Sequence, residues 1–304
     1  MGGSSGSGSR YTRVDVESLR EEARARLGLN QRDAEINRLI AEELVAINDR
    51  DADQINDYLE DIESAISEHT AEFDRILFGG SVAKHTFVDG MSDVDALVVL
   101  DGDEHGEVTP GAVLGQLQEI LKRYVPSANI ESITTGALAV TIRYEDGNEI
   151  QLLPAIRTDG GLSISSGLQS WIDIDPQRFA RALTDANRRN GSAVIPAIKI
   201  AKVILDSQLG NNSPSGYHTE SLAIAAFNNY EGPRTPKAMV ERLLDTAVGN
   251  VLTPTPDITG QSSHVDQALG VSNSPARQQL SREIRDVANL VKNGSVKDWE
   301  SMLS

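Results

Sequence analysis

Residues 78–100 read FGGSVAKHTFVDGMSDVDALVVL, and this stretch decides the architecture of the chain. A short apolar strand, Arg75 to Phe78, runs into Gly79, Gly80 and Ser81. Glycines let a backbone approach an anion closely, N–H groups at a helix start point toward it, and Ser81 adds a hydroxyl donor. Taken alone, Gly-Gly-Ser also fits a plain turn. Asp93 and Asp95 narrow the choice. They stand two residues apart at the entrance of an almost continuously apolar strand, Asp95 to Leu100. Period two puts both on one face, with Val94 on the other. Carboxylates that close repel, and a hard divalent ion compensates them while also taking phosphate oxygens. Solvated turn aspartates would suit Asp93 but not Asp95, which already enters the core. The stretch reads as a phosphate grip followed by a metal-binding pair.

Upstream, Leu19, Leu27, Ile36, Leu39, Ile40, Leu44 and Ile47 recur at helical spacing, and Tyr58, Ile62, Ile66 and Phe73 continue a helical run toward the first strand. Residues 1–9, MGGSSGSGS, read as a linker and are set aside. Downstream, acidic Asp101 to Glu107 forms a loop and Val113 to Tyr124 a helix. Ile130 to Thr134, Leu138 to Tyr144 and Ile150 to Leu153 read as strands, with Asp146-Gly147 as a hairpin turn between the last two. After Pro154 the strands are expected to stop. Helices follow over Pro176 to Arg189, Val194 to Ser207, Thr219 to Tyr230, Pro236 to Val248 and Pro275 to Val291. This predicts an α+β chain: N-terminal helices and a mixed-sheet core over residues 10–155, then a helical domain over 156–304.

Composition bounds the function. The 304 residues contain no cysteine, which excludes disulfides, thiolate chemistry and Cys-containing zinc sites. No apolar run reaches the roughly 18–20 residues that span a bilayer, and no secretory leader is visible, so a cytoplasmic protein without a membrane partner is expected. The net charge of −17 repels phosphate backbones and makes long nucleic acid a poor partner. A free nucleotide responds to local groups instead, and is not disfavoured.

The order Gly-Ser, spacer, Asp-x-Asp resembles the polymerase-β-like nucleotidyltransferases, and within them the bacterial relatives of cyclic GMP–AMP synthase and oligoadenylate synthase. The resemblance runs from about Leu77 to Gln279. It implies a nucleotidyltransferase palm with a C-terminal helical domain, Gly79, Gly80 and Ser81 on the triphosphate, and Mg²⁺ (or Mn²⁺) on Asp93 and Asp95. The family's third carboxylate sits three residues before a proline. Here Gln151 takes that slot ahead of Pro154, with Glu149 two residues earlier on the same strand face. Three readings stay open: Glu149 replaces the missing acid as catalytic group and metal ligand, Gln151 only orients the attacking hydroxyl, or the enzyme is weakened.

The resemblance extends into the helical half. In IPAIKIAKVIL, Lys202 falls where the family places a triphosphate-binding lysine, with Lys199 as a second; two lysines snorkelling from an amphipathic helix is the plainer reading. SGYHTESL resembles a segment whose tyrosine stacks on the donor base, which gives Tyr217 that role, although Gly216 stands where the family has serine. Asp257-Ile258-Thr259-Gly260 resembles a segment that closes the core. The implied activity is conversion of nucleoside triphosphates into a cyclic di- or trinucleotide of the anti-phage signalling type, whose product activates a separate effector protein. RNA-terminal nucleotidyl transfer and a catalytically impaired nucleotide-binding module are the alternatives.

Overall fold

The computed structural model describes residues 16–49, 52–70, 73–78, 86, 94–101, 109–158, 161–165, 168–260 and 262–304, with backbone alone at 16–27, 48, 49, 52–54, 56, 78, 95 and 176. Helices α1 (Val16–Asp49) and α2 (Ala52–His69) lead into strand β1 (Phe73–Phe78). Phe73 therefore opens the strand and does not end the helix, as its spacing from Ile66 suggests; it pairs with Leu100 of β2 (Val94–Leu100). Next come α3 (Pro110–Tyr124), β3 (Ile130–Thr135), β4 (Val140–Tyr144), β5 (Glu149–Thr158), β6 (Gly161–Ser165) and β7 (Trp171–Ile174).

The sheet runs β1-β2-β5-β4-β3, with β6 added to β5 and β7 to β6. β2 and β5 are parallel, and the other pairs are antiparallel. Helices α2 and α3 cover one face, where Ile62, Leu114 and Leu121 meet Ala96, Val98, Ile142, Ile150 and Leu152. Leu97, Val99, Ala155 and Ile164 cluster on the other. Burial on both faces is why β2 is apolar at consecutive positions. The β4–β5 hairpin turns at Gly147, whose φ of 91° favours glycine. Tyr58 of α2 stacks on Tyr144 and donates to Asp146 at 2.8 Å, docking the hairpin onto the helix layer.

Strands do not stop at Pro154. β5 runs to Thr158 and is followed by two more. A proline cannot donate to a ladder, but β4 pairs with β5 only through Leu152 and β6 begins at Ala155. On that edge Pro154 falls in the gap between the two partners, while on the other edge it stands opposite Val98 of β2.

The second half is helical: α4 (Pro176–Arg189), α5 (Val194–Leu209), α6 (Gly216–Phe227), α7 (Pro236–Asn250), α8 (Pro275–Asn293) and α9 (Val296–Leu303). The starts are legible in caps. Proline occupies the first turn of α4, α7 and α8. Asp175 and Ser274 cap α4 and α8, and Ser295 and Asp298 form a capping box on α9. Helix α5 is the hub, with Val194, Ile198, Ile200, Ala201 and Ile204 fully buried. Ile36, Ile40 and Ile47 of α1 join this core, so the N-terminal helix packs with the helical half. Trp299 is buried in α9 with its indole N–H on the Val291 carbonyl at 3.2 Å, a packing role. The mixed sheet, long N-terminal helices and helical second half agree with the α+β reading.

Candidate functional site

Parallel pairing of β2 with β5 sets Asp95 in register with Gln151, while Val94 and Ala96 pair with Ile150 and Leu152. The alternation of β5 buries Ile150 and Leu152 under α2 and α3 and leaves Glu149 and Gln151 half-buried on the opposite face. Glu149 is held from two sides. Arg143, its cross-strand partner on β4, reaches Glu149 Oε2 with Nε at 3.1 Å and Nη2 at 2.5 Å. Gln151 Nε2 donates to Glu149 Oε1 at 3.2 Å. The carboxylate nearest the third family position thus has its charge matched by an arginine, and the position itself carries a neutral amide. Among the described residues no group of three or more His, Asp or Glu side chains is arranged to hold a metal ion. Gly79, Gly80, Ser81 and Asp93 lie outside the described residues, and Asp95 is described by its backbone alone.

Lys199 and Lys202 stand one turn apart on α5, in different environments. Lys199 is half-buried, and desolvation followed by repulsion from Lys202 lowers its ammonium pKa. Lys202 is 7% exposed and turns inward. Its Nζ donates to Glu220 Oε1 of α6 at 3.0 Å and to the Thr86 carbonyl at 3.0 Å. The Thr86 hydroxyl donates to the same Glu220 oxygen at 2.5 Å. Gly216 is part of this arrangement, since a Cβ there would lie 3.2 Å from Lys202 Nζ. The glycine that replaces the expected serine makes room for the ammonium. Ser215 supplies the hydroxyl nearby, but as the α6 cap, accepting from the His218 N–H at 3.2 Å.

Tyr217, next on α6, packs its ring against Phe179 at 4.5 Å between centroids and donates its hydroxyl to Asp257 Oδ1 at 2.8 Å. Burial and the Asp257 carboxylate raise the phenol pKa. Asp257 also accepts from the N–H and hydroxyl groups of Thr259 and of Ser262. Burial alone would raise the Asp257 carboxyl, but these donors outweigh it and hold it below its ordinary value. The loop ends against the sheet, with the Thr259 carbonyl accepting from Asp175 N–H at 3.0 Å. Asp257 to Gly260 thus ties the tyrosine helix to the end of β7, the closing role expected of it.

His218 points away from this face. It is 2% exposed, with Nε2 3.4 Å from Asp266 Oδ2, and Asp266 pairs with the fully buried Arg277 at 2.6 Å. Arg277 further donates to the carbonyls of Val251, Thr253, Asp266 and Gly270. This cluster holds the 251–270 loop together and is structural. An open groove of about 410 Å³ between α4 and α6, lined by residues such as Asp185, Arg189, Ser221 and Asn228, contains none of the expected site residues.

Sequence reasoning misses Thr86, Arg143, the bond from Tyr217 to Asp257 and the pairing role of Glu220. One signal was available. Lys202 stands in the nearly uninterrupted apolar run IPAIKIAKVIL, and a buried ammonium requires a buried acid. Which acid depends on how α5 and α6 pack, which spacing does not encode.

A family model described as "Second Messenger Oligonucleotide or Dinucleotide Synthetase domain" matches residues 34–187. No curated protein matches the chain. Three solved structures share its fold at low identity. CdnG of Bradyrhizobium diazoefficiens, a CD-NTase in complex with GTP, is 13% identical with a TM-score of 0.62, covering 86% of this chain and 91% of its own. Escherichia coli CdnC with ATP is 13% identical with a TM-score of 0.62, covering 88% and 97%. The cyclic AMP–GMP synthase DncV of Vibrio cholerae, with a linear intermediate, is 12% identical with a TM-score of 0.58, covering 95% and 93%.

Proposed function

Because this chain belongs to the second messenger oligonucleotide or dinucleotide synthetase family, we propose that it converts nucleoside triphosphates into a cyclic di- or trinucleotide with release of pyrophosphate. It is a nucleotidyltransferase, and the observation that supports its site is the register of Asp95 with Gln151 on parallel central strands. In this reading Gly79, Gly80 and Ser81 grip the triphosphate. Lys199 contributes positive charge, and Tyr217 offers a ring face to a base.

Asp93 and Asp95 would hold Mg²⁺, which supplies Lewis acidity toward the triphosphate and the attacking ribose hydroxyl. Gln151 cannot be an anionic ligand or a base, and Glu149 is committed to Arg143 and to the Gln151 amide. We assign Gln151 the orientation of the hydroxyl and Glu149 the orientation of Gln151. As the hydroxyl oxygen bonds to the α-phosphorus, the bond to pyrophosphate breaks. The proton leaves to an aspartate or to solvent. A linear intermediate must then turn and react again in the same site, which suits a closed, nucleotide-sized pocket and an acidic protein that holds no long polymer. The cyclic product would activate a separate effector in anti-phage signalling.

Four labelled nucleoside triphosphates, incubated with the protein and Mg²⁺ with and without RNA and then treated with phosphatase, test this reading. Small phosphatase-resistant products are expected. Label found only on RNA contradicts it. Binding without any product would favour the impaired module, for which the Arg143–Glu149 pair beside Gln151 is the specific argument.

A further inference from the structure

Thr86 is gripped at two atoms by two helices. Its hydroxyl donates to Glu220 of α6, its carbonyl accepts from Lys202 of α5, and Lys202 closes the ring by donating to the same Glu220 oxygen. All three residues are buried, with exposures of 0%, 1% and 7% for Thr86, Glu220 and Lys202. A buried ion pair gains little net stability over a well-packed apolar cluster of the same volume, because desolvation offsets the attraction. It does gain direction. Charge-assisted hydrogen bonds fix one atom against another far more narrowly than apolar packing does. Gly216 gives up a Cβ beside this ammonium, so the backbone is shaped around the same cluster.

The chain position of Thr86 gives that direction a use. It lies five residues after Ser81 and seven before Asp93, between the proposed phosphate grip and the proposed metal pair. It is held by the helix that bears Lys199 and by the helix that bears Tyr217. We infer that Glu220 and Lys202 are positioning residues for nucleotide binding: together they fix Thr86, and Lys202 acts on the triphosphate through that hold instead of touching it. This rests on the reading that the segment before Thr86 grips the triphosphate.

The test is equilibrium binding of α,β-methylene analogues of ATP, GTP, CTP and UTP with Mg²⁺, measured by calorimetry beside a thermal melt. Thr86→Val removes the hydroxyl at constant shape, and Thr86→Ser restores it. For whichever analogue binds best, Thr86→Val should weaken binding about tenfold, the scale of one lost buried hydrogen bond, while Thr86→Ser stays within about threefold of wild type. A Thr86→Val protein that melts lower yet binds as wild type would overturn the inference, because the cluster would then serve stability alone. Should Thr86→Val not fold, Glu220→Gln and the Lys202→Met/Glu220→Gln double variant decide the matter. The double variant should bind no more weakly than Glu220→Gln, because both changes break one device. A further tenfold loss in the double variant would mean that Lys202 touches the triphosphate directly, and would overturn it. Wild type that binds an analogue but forms no product refutes the catalytic reading and leaves this inference intact. Wild type that binds none refutes both.

Discussion

Gln151 pairs in register with Asp95 across the parallel strands β5 and β2, and its amide nitrogen donates to Glu149 at 3.2 Å. A neutral amide therefore stands on the neighbouring strand beside one member of the proposed metal pair, and the next carboxylate along is neutralised by Arg143. The site as built is short of negative charge on β5.

Gln151→Asp should raise kcat about tenfold, equivalent to roughly 1.4 kcal/mol of transition-state stabilisation. Glu149→Gln should change it by less than about threefold, since an amide still accepts from Gln151. Steady-state rates with Mg²⁺ and with Mn²⁺ check both. If Glu149→Gln abolished turnover while Gln151→Ala preserved it, Glu149 would be the third functional group and the assignment would reverse.

Tyr217→Phe tests the loop anchor. It removes one of the five donors to Asp257 among the described residues and should cost about 1–2 kcal/mol of stability by thermal or denaturant unfolding, with the ring retained. Base stacking should survive, so nucleotide affinity should fall by less than about threefold. Tyr217→Ala removes the ring as well and should lose affinity by about tenfold or more. Equal affinities for the two variants would remove Tyr217 from the base-binding assignment.

Acid should loosen the 251–270 loop in two stages. Burial is the main reason that His218 lies below its ordinary value of 6.5, with Arg277 adding to that and Asp266 opposing it. A depressed histidine is neutral in the folded chain, so unfolded chains bind the proton first as pH falls below 6.5. Its stability contribution is complete above that value and is lost as pH falls toward the folded pKa, at no more than about 1.4 kcal/mol per pH unit. Asp257 and Asp266 lie below their ordinary 3.8. For Asp266, burial opposes the shift and Arg277 is the leading cause of it. Their contributions hold above 3.8 and are lost as pH falls through the folded values. Melting temperatures from pH 7 to 5 should therefore decline, and His218→Gln should flatten that decline while leaving the loss below about pH 4. An unchanged slope in His218→Gln would mean that His218 is not the titrating group.

The continuous apolar run of β2, the Asp-Gly turn before β5 and the proline-led helices α4, α7 and α8 are local signals, and each element appears where they place it. Pro154 misleads because its tolerance depends on β4 ending and β6 beginning on either side of it, a property of the assembled sheet. The short helix α9 escapes because eight residues give too few turns for periodicity to register, although its capping box was readable. Arg143 meets Glu149 only once the hairpin register is set. Glu220 is legible as a helix-start residue and not as the partner of Lys202, 18 positions earlier, because that contact belongs to the crossing of α5 and α6.

Product formation by wild type and by Asp95→Ala decides whether this chain is a working synthetase that depends on the β2 carboxylate. Both proteins would be incubated with four labelled nucleoside triphosphates and Mg²⁺, treated with phosphatase and resolved by chromatography, with a thermal melt confirming equal folding. Wild type should yield a phosphatase-resistant cyclic product, and Asp95→Ala should yield none above about one part in a thousand. Product from Asp95→Ala at a rate near wild type would remove Asp95 from the active site and, with it, the metal pair on β2.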